Sequence, residues 1–174
     1  MTWHMNRSLM LVALALLPSP VALAQSPFDA LTKAATDTGK SEVEKKVNEK
    51  LLQEARKNQC SFKSGTAELA PGCDAKLKKL TSALVDAKHQ LDTTGAHAYK
   101  FEVSGHTDSS GDAAKNKVLS EQRAQTIVTE LVARGIGKGE IIAVGRGSEA
   151  MLVKPDDTAA KKQKNRRYEI RVRL

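Results

Sequence analysis

In the second half of the chain, runs with the two-residue period of a β-strand take turns with runs of helical period, and few folds accommodate that order. Tyr99, Phe101 and Val103 alternate with Lys100, Glu102 and Ser104, as in a strand with one buried face. Ala124, Ile127, Val128, Leu131 and Val132 then form a helical stripe, with Gly135 where a left-handed C-terminal residue belongs. Ser120 reads as the N-cap of that helix, which puts Arg123 on its first turn. Residues 141–144 are a short apolar run bounded by glycine, the pattern of a buried strand, and at the end of the chain Tyr168, Ile170, Val172 and Leu174 alternate with Arg167, Glu169, Arg171 and Arg173. Upstream, Leu77, Leu80, Leu84, Val85 and Leu91 predict a helix opened by Pro71-Gly72 and closed before Gly95, and residues 59–63 predict a short strand before it. The order strand, helix, strand, helix, strand, strand implies parallel crossovers with both helices on one face of the sheet. The expected class is therefore α/β in the broad sense, a two-layer α+β sandwich of βαβαββ order with a mixed sheet and a charged outer face.

Two extensions precede that domain. Arg7, the apolar stretch 9–17, the breakers Pro18 and Pro20, and Ala22-Leu23-Ala24 make residues 1–24 a secretory signal peptide cut before Gln25. The apolar stretch is far short of the ~20 residues that span a bilayer, and Gln25 stands where lipid attachment would need a cysteine. The mature chain is expected in the periplasm, with peripheral association to the outer membrane left open. Residues 25–56 read as a linker with an amphipathic helix, its stripe being Val43, Val47, Leu51, Leu52 and Ala55 behind a Ser41 cap. That segment is a candidate contact for an outer-membrane or periplasmic protein.

Export also conditions charge and cysteine. The sequence carries 28 Lys+Arg against 20 Asp+Glu, with eight basic and three acidic residues over 154–174. With only three Phe, two Tyr and one Trp, a nucleic-acid stacking platform is excluded as a reading, and an exported basic chain points to anionic envelope polymers instead. In an oxidising compartment Cys60 and Cys73 are expected to form a disulfide. No metal or cofactor is expected, since neither cysteine has a histidine or a second cysteine pair at ligand spacing.

Signatures of catalysis are weak. Gly145-Arg146-Gly147-Ser148 has the wrong spacing for a nucleophile elbow, and Gly137-Lys138-Gly139 lacks the Ser or Thr of a phosphate loop. Ser104, His106 and Asp108 alternate along one short segment, a poor arrangement for a proton relay. The informative pair is Asp108, directly after a strand, and Arg123, on the following helix. A carboxylate and a guanidinium converging there suit a zwitterion; a plain structural ion pair between the two suits the same residues equally.

Gly105-His106-Thr107-Asp108-Ser109-Ser110-Gly111, Asn116, Leu119-Ser120, Arg123-Ala124, Gly135-Ile136, Gly145-x-Gly147 and Asn165-Arg166-Arg167-x-Glu169-Ile170 stand in one order. Together they resemble the OmpA-like peptidoglycan-binding domain, over about residues 57–174. The resemblance implies a non-catalytic, non-covalent wall binder, linking or stabilising a Gram-negative envelope. It implies that Asp108 and Arg123 hold the meso-diaminopimelate of the stem peptide, with Thr107, Asn116 and Arg166 at supporting positions. The run Thr158-Ala159-Ala160-Lys161-Lys162 stands where relatives often carry Thr-x-x-Gly-Arg, which predicts a reshaped rim. The alternative reading is a module that binds another envelope protein and keeps the wall site only as a vestige.

Overall fold

The computed structural model of the protein describes residues 27–95 and 98–174, with side chains from residue 39 onward; the signal peptide read at 1–24 lies outside the described residues. The strand-period runs become three strands, β1 (Lys100–His106), β2 (Ile141–Gly147) and β3 (Tyr168–Arg173), in the order β2-β1-β3. Strand β1 is parallel to β2 and antiparallel to β3. The parallel pair requires a crossover, and α3 (Ala113–Ala133) supplies it. The result is a mixed sheet in an α+β fold, as the alternation predicts.

Alternation sorts the sheet's side chains as expected. Phe101, Val103, Tyr168, Ile170 and Val172 are buried with Leu77, Leu80, Leu84 and Leu91 of α2 (Asp74–Thr93) and with Ile127 and Leu131 of α3. Two glycines set how closely α3 lies on the sheet. A Cβ on Gly105 would stand 2.1 Å from the Ser120 carbonyl oxygen, and one on Gly145 would stand 2.5 Å from that of Lys117. Neither approach tolerates a side chain, so these glycines bring the helix backbone onto the strand ends that carry the site.

Three elements differ from the sequence expectation. Helix α3 starts at Ala113, where the Asp112 side chain accepts from the Lys115 N–H at 2.8 Å. Ser120 is therefore no cap. It is fully buried within the helix, donates to the Lys117 carbonyl at 2.8 Å and accepts from the Gly147 N–H at 2.8 Å, joining α3 to β2. Arg123 accordingly lies in the helix interior and not at a helix N-terminus. Within the loop expected over 146–165 there is also a short helix, α4 (Ala159–Asn165), capped by Thr158.

The expected strand at 59–63 is not part of the sheet; its one bridge joins Phe62 to Leu69. The free edge of β3 is instead served by amide side chains. Asn48 accepts from the Val172 N–H at 2.7 Å and donates back at 3.2 Å, while Gln59 accepts from the Tyr168 N–H at 3.0 Å and donates to its carbonyl at 2.8 Å. These bonds supply what a neighbouring strand would. They are positioned by α1 (Pro27–Lys57), which runs unbroken through Gly39 and Ser41, so Ser41 caps nothing, and which buries Val47, Leu51 and Ala55. Among the described residues no helix is long and apolar enough to cross a membrane.

The disulfide expected between Cys60 and Cys73 is not formed. Both are free and buried, and the Cys60 sulfur faces the Cys73 carbonyl oxygen at 3.9 Å. Burial, reinforced by Cys73, pushes the Cys60 thiol up to about 12. The thiolate that disulfide chemistry requires is thereby suppressed.

Candidate functional site

A cleft of about 840 Å³ opens between the C-terminal end of β1, α3, the segment after α1 and the residues between α4 and β3. All five residues singled out in the sequence have a place in or beside it. Thr107, Asp108, Asn116, Arg123 and Arg166 line it, together with Phe62, Gly65 and Leu119.

Asp108 is fixed from two sides. Its Oδ1 accepts from the Ser110 N–H at 2.9 Å, and its Oδ2 accepts from Arg166 at 2.6 Å. Burial by itself raises its pKa, but the Ser110 and Arg166 hydrogen bonds outweigh that effect and leave the carboxyl below its ordinary value. Asp108 is therefore a carboxylate at neutral pH. The loop behind it is pinned as well. Asp156 accepts from the Ser109 N–H at 2.9 Å and from the Ser109 hydroxyl, and Asn116 donates to the Ser110 carbonyl at 2.8 Å. Those two Ser109 contacts hold Asp156 down at about 2.

Arg123 does not pair with Asp108. Its Nε donates to the Thr66 carbonyl at 2.9 Å, and its guanidinium carbon lies 5.1 Å from the Phe62 ring centroid. The structural ion pair weighed for Asp108 and Arg123 is thus absent; the partner is Arg166, which also donates to Gln163 at 2.7 Å. Among the described residues the two terminal amino groups of Arg123 make no hydrogen bond, so they face the cleft uncommitted. Burial first, and then the neighbouring Arg166 charge, lowers the Arg123 pKa from its very basic ordinary value.

Thr107 adds a polar group with no partner. Its hydroxyl is buried and unbonded among the described residues. The cleft therefore sets the Asp108 carboxylate against the Arg123 and Arg166 guanidiniums, with the Thr107 hydroxyl buried beside them and Arg56, Lys164 and Arg167 also on its lining, a set that suits a small zwitterion with a carboxylate end. His106 and Ser104 form no relay with Asp108, because among the described residues neither ring nitrogen of His106 has a hydrogen-bond partner. Phe62 and Thr66 were not singled out by sequence reasoning, and no motif marks them. An aromatic near an arginine-bearing helix is the only hint, in a chain with three Phe.

Fold and cleft together define an α+β domain with a charged cleft at the end of the central strand. Residues 61–166 match the OmpA family, and the chain belongs to that family. Outer membrane porin F of Pseudomonas fluorescens is 40% identical over 88 residues, which are 50% of this chain and 27% of that protein. The peptidoglycan-binding protein ArfA of Mycobacterium tuberculosis is 40% identical over 71 residues, 41% of this chain and 22% of that protein. The chain thus spans about a quarter of the length of these two relatives. In fold it is similar to the peptidoglycan-associated lipoprotein of Burkholderia pseudomallei, with a TM-score of 0.54 and 20% identity over 66% of this chain and 89% of that one.

Proposed function

We propose that the protein is a non-catalytic binder of cell-wall peptidoglycan that grips the meso-diaminopimelate of the stem peptide in the Asp108–Arg123 cleft. The observation that carries the reading is the division of labour between the two arginines. Arg166 already shares the Asp108 carboxylate, whereas Arg123 is held at its Nε and presents its two terminal amino groups to the cleft. The free end of diaminopimelate bears an ammonium and a carboxylate on one carbon. The ammonium takes the remaining lone pairs of Asp108, and the carboxylate takes the Arg123 fork, with Arg166 beside it and the Thr107 hydroxyl as a further donor. Asn116 acts at one remove, by holding the Ser110 carbonyl and so the loop that carries Asp108.

Relatives whose names state peptidoglycan binding support the wall as the partner, and they support a binder in preference to an enzyme. The signal peptide and the likeness to an outer-membrane porin support a periplasmic location for the mature chain, residues 57–174 being the wall-binding domain and 25–56 a tether. One small site is weak by itself; a polymeric wall offers many copies of its ligand, so a second envelope contact through 25–56 raises retention by avidity.

The test is sedimentation of the mature protein with diaminopimelate-type sacculi beside Asp108→Ala and Arg123→Ala, each shown to be folded by circular dichroism. Each variant is expected to bind at least about 30-fold more weakly, because truncating one member of a desolvated charge pair costs several kcal/mol. Equal pelleting of wild type and both variants would show that bulk charge, and not this pair, holds the protein to the wall.

A further inference from the structure

The sheet face turned away from α2 and α3 carries chemistry that the cleft does not use. On it the register places Glu102 of β1 beside Arg171 and Arg173 of β3, with Ile142 and Arg146 on β2. Glu102 accepts from Arg146 at 2.9 Å and from Arg173 at 3.4 Å, and Glu169 accepts from Arg167 at 2.9 Å and from Arg171 at 3.1 Å. Each carboxylate is buried beneath two guanidiniums, and the outer guanidiniums of Arg171 and Arg173 remain 41% and 55% exposed. Four arginines thus meet two glutamates, which leaves unspent N–H groups facing outward across a flat surface.

Two further observations separate this face from an ordinary solvated one. Ile142 is 43% exposed beside the arginines, so the surface is apolar at one side and cationic at the other. At the end of β1, where this face meets the cleft, His106 is buried, and among the described residues neither of its ring nitrogens has a partner. Among the described residues the helical layer lies on the opposite face, and α1 runs along the β3 edge. In a two-layer sandwich the uncovered sheet face is where a third layer fits.

We infer that this face docks an acidic amphipathic helix of another polypeptide. Its carboxylates would extend the Arg–Glu pattern that the face already shows, and its apolar stripe would cover Ile142. Bare polyanions supply the first contact and not the second. The surface meets the cleft at His106 and Arg167, whereas Ile142, Arg171 and Arg173 lie outside the cleft lining, so wall binding and partner docking are compatible in one molecule.

The experiment titrates the full mature chain into a fluorescein-labelled helical peptide with Glu and Leu at helical spacing, read by anisotropy at low salt. Its Lys/Leu counterpart and phosphatidylglycerol vesicles run in parallel. Arg171→Gln/Arg173→Gln leaves Glu102 and Glu169 each with one arginine and is expected to bind the Glu/Leu peptide about tenfold more weakly. Ile142→Ser removes the exposed apolar group without adding charge among the ion pairs and is expected to weaken binding by a similar factor. Lys78→Gln/Lys79→Gln on α2 removes the same charge from the other side and is expected to stay within about twofold. The inference is overturned by absence of saturable Glu/Leu binding, by equal loss in the α2 variant, or by vesicles in place of the peptide responding to the sheet-face variants.

Discussion

Asp108 and Arg123 face one cleft but are held there by different means. Asp108 stands on a wall made by the central strand and the α3 backbone, closed by Gly105, Gly145 and the Ser120–Gly147 hydrogen bond. Arg123 leans instead on a loop, through one carbonyl of Thr66 and the face of Phe62. The first wall is fixed by packing that admits no extra atom. The second is fixed by two directional contacts on a short hairpin-like segment. The carboxylate end of the cleft is therefore the rigid reference, and the guanidinium end, held by two contacts, is the softer and more adjustable one.

The strongest way to break this contrast is Gly105→Ala. The added Cβ would meet backbone, the Ser120 carbonyl oxygen at 2.1 Å, so α3 must move off the sheet. Overpacking of this kind costs about 3 kcal/mol or more, read as a lower urea midpoint with an unchanged slope. The second test is acid. His106, two residues before Asp108, is held down at about 4 by burial first and by the Arg167 charge second. Its folded value lies below the ordinary 6.5, so the unfolded chain takes the proton first as pH falls. The stability it contributes is complete above pH 6.5 and is lost as pH falls toward about 4. The total is on the order of 3 kcal/mol, and denaturation of His106→Asn at pH 7 and pH 5 is expected to lack this slope.

How much of this was readable in the sequence follows the same division. Asp108 and Arg123 were found because each sits in a short motif on a strand end or a helix. The pairing of Asp108 with Arg166 was not, since the two are 58 residues apart and only the antiparallel β1–β3 ladder brings them together. The start of α3 was missed for a local reason: Asp112 is a sound cap, but the first turns that follow carry no apolar stripe, and Ser120 is an equally good cap by residue type. The strand expected at 59–63 failed because tertiary context supplied another solution, the Asn48 and Gln59 amides on the β3 edge. Of the Arg123 wall, neither Phe62 nor Thr66 was singled out. A carbonyl and a ring face leave no mark in a sequence until the fold shows what lies beneath them.

Phe62→Leu sharpens the contrast with the smallest change. Leucine keeps apolar bulk on the segment and preserves the Thr66 carbonyl, while it removes the π face under the guanidinium. A partly exposed cation–π contact is worth about 0.5–1 kcal/mol, so binding to sacculi is expected to weaken by roughly two- to fivefold. The Asp108 wall is untouched by this change, so the protection of the β1 amides against hydrogen exchange should stay as it is. If Phe62→Leu pellets like wild type while Arg123→Ala does not, the Thr66 carbonyl alone aims the guanidinium. Loss of β1 protection in Phe62→Leu would show instead that the two walls are one cooperative unit, and that the adjustable end of the site is no softer than the fixed one.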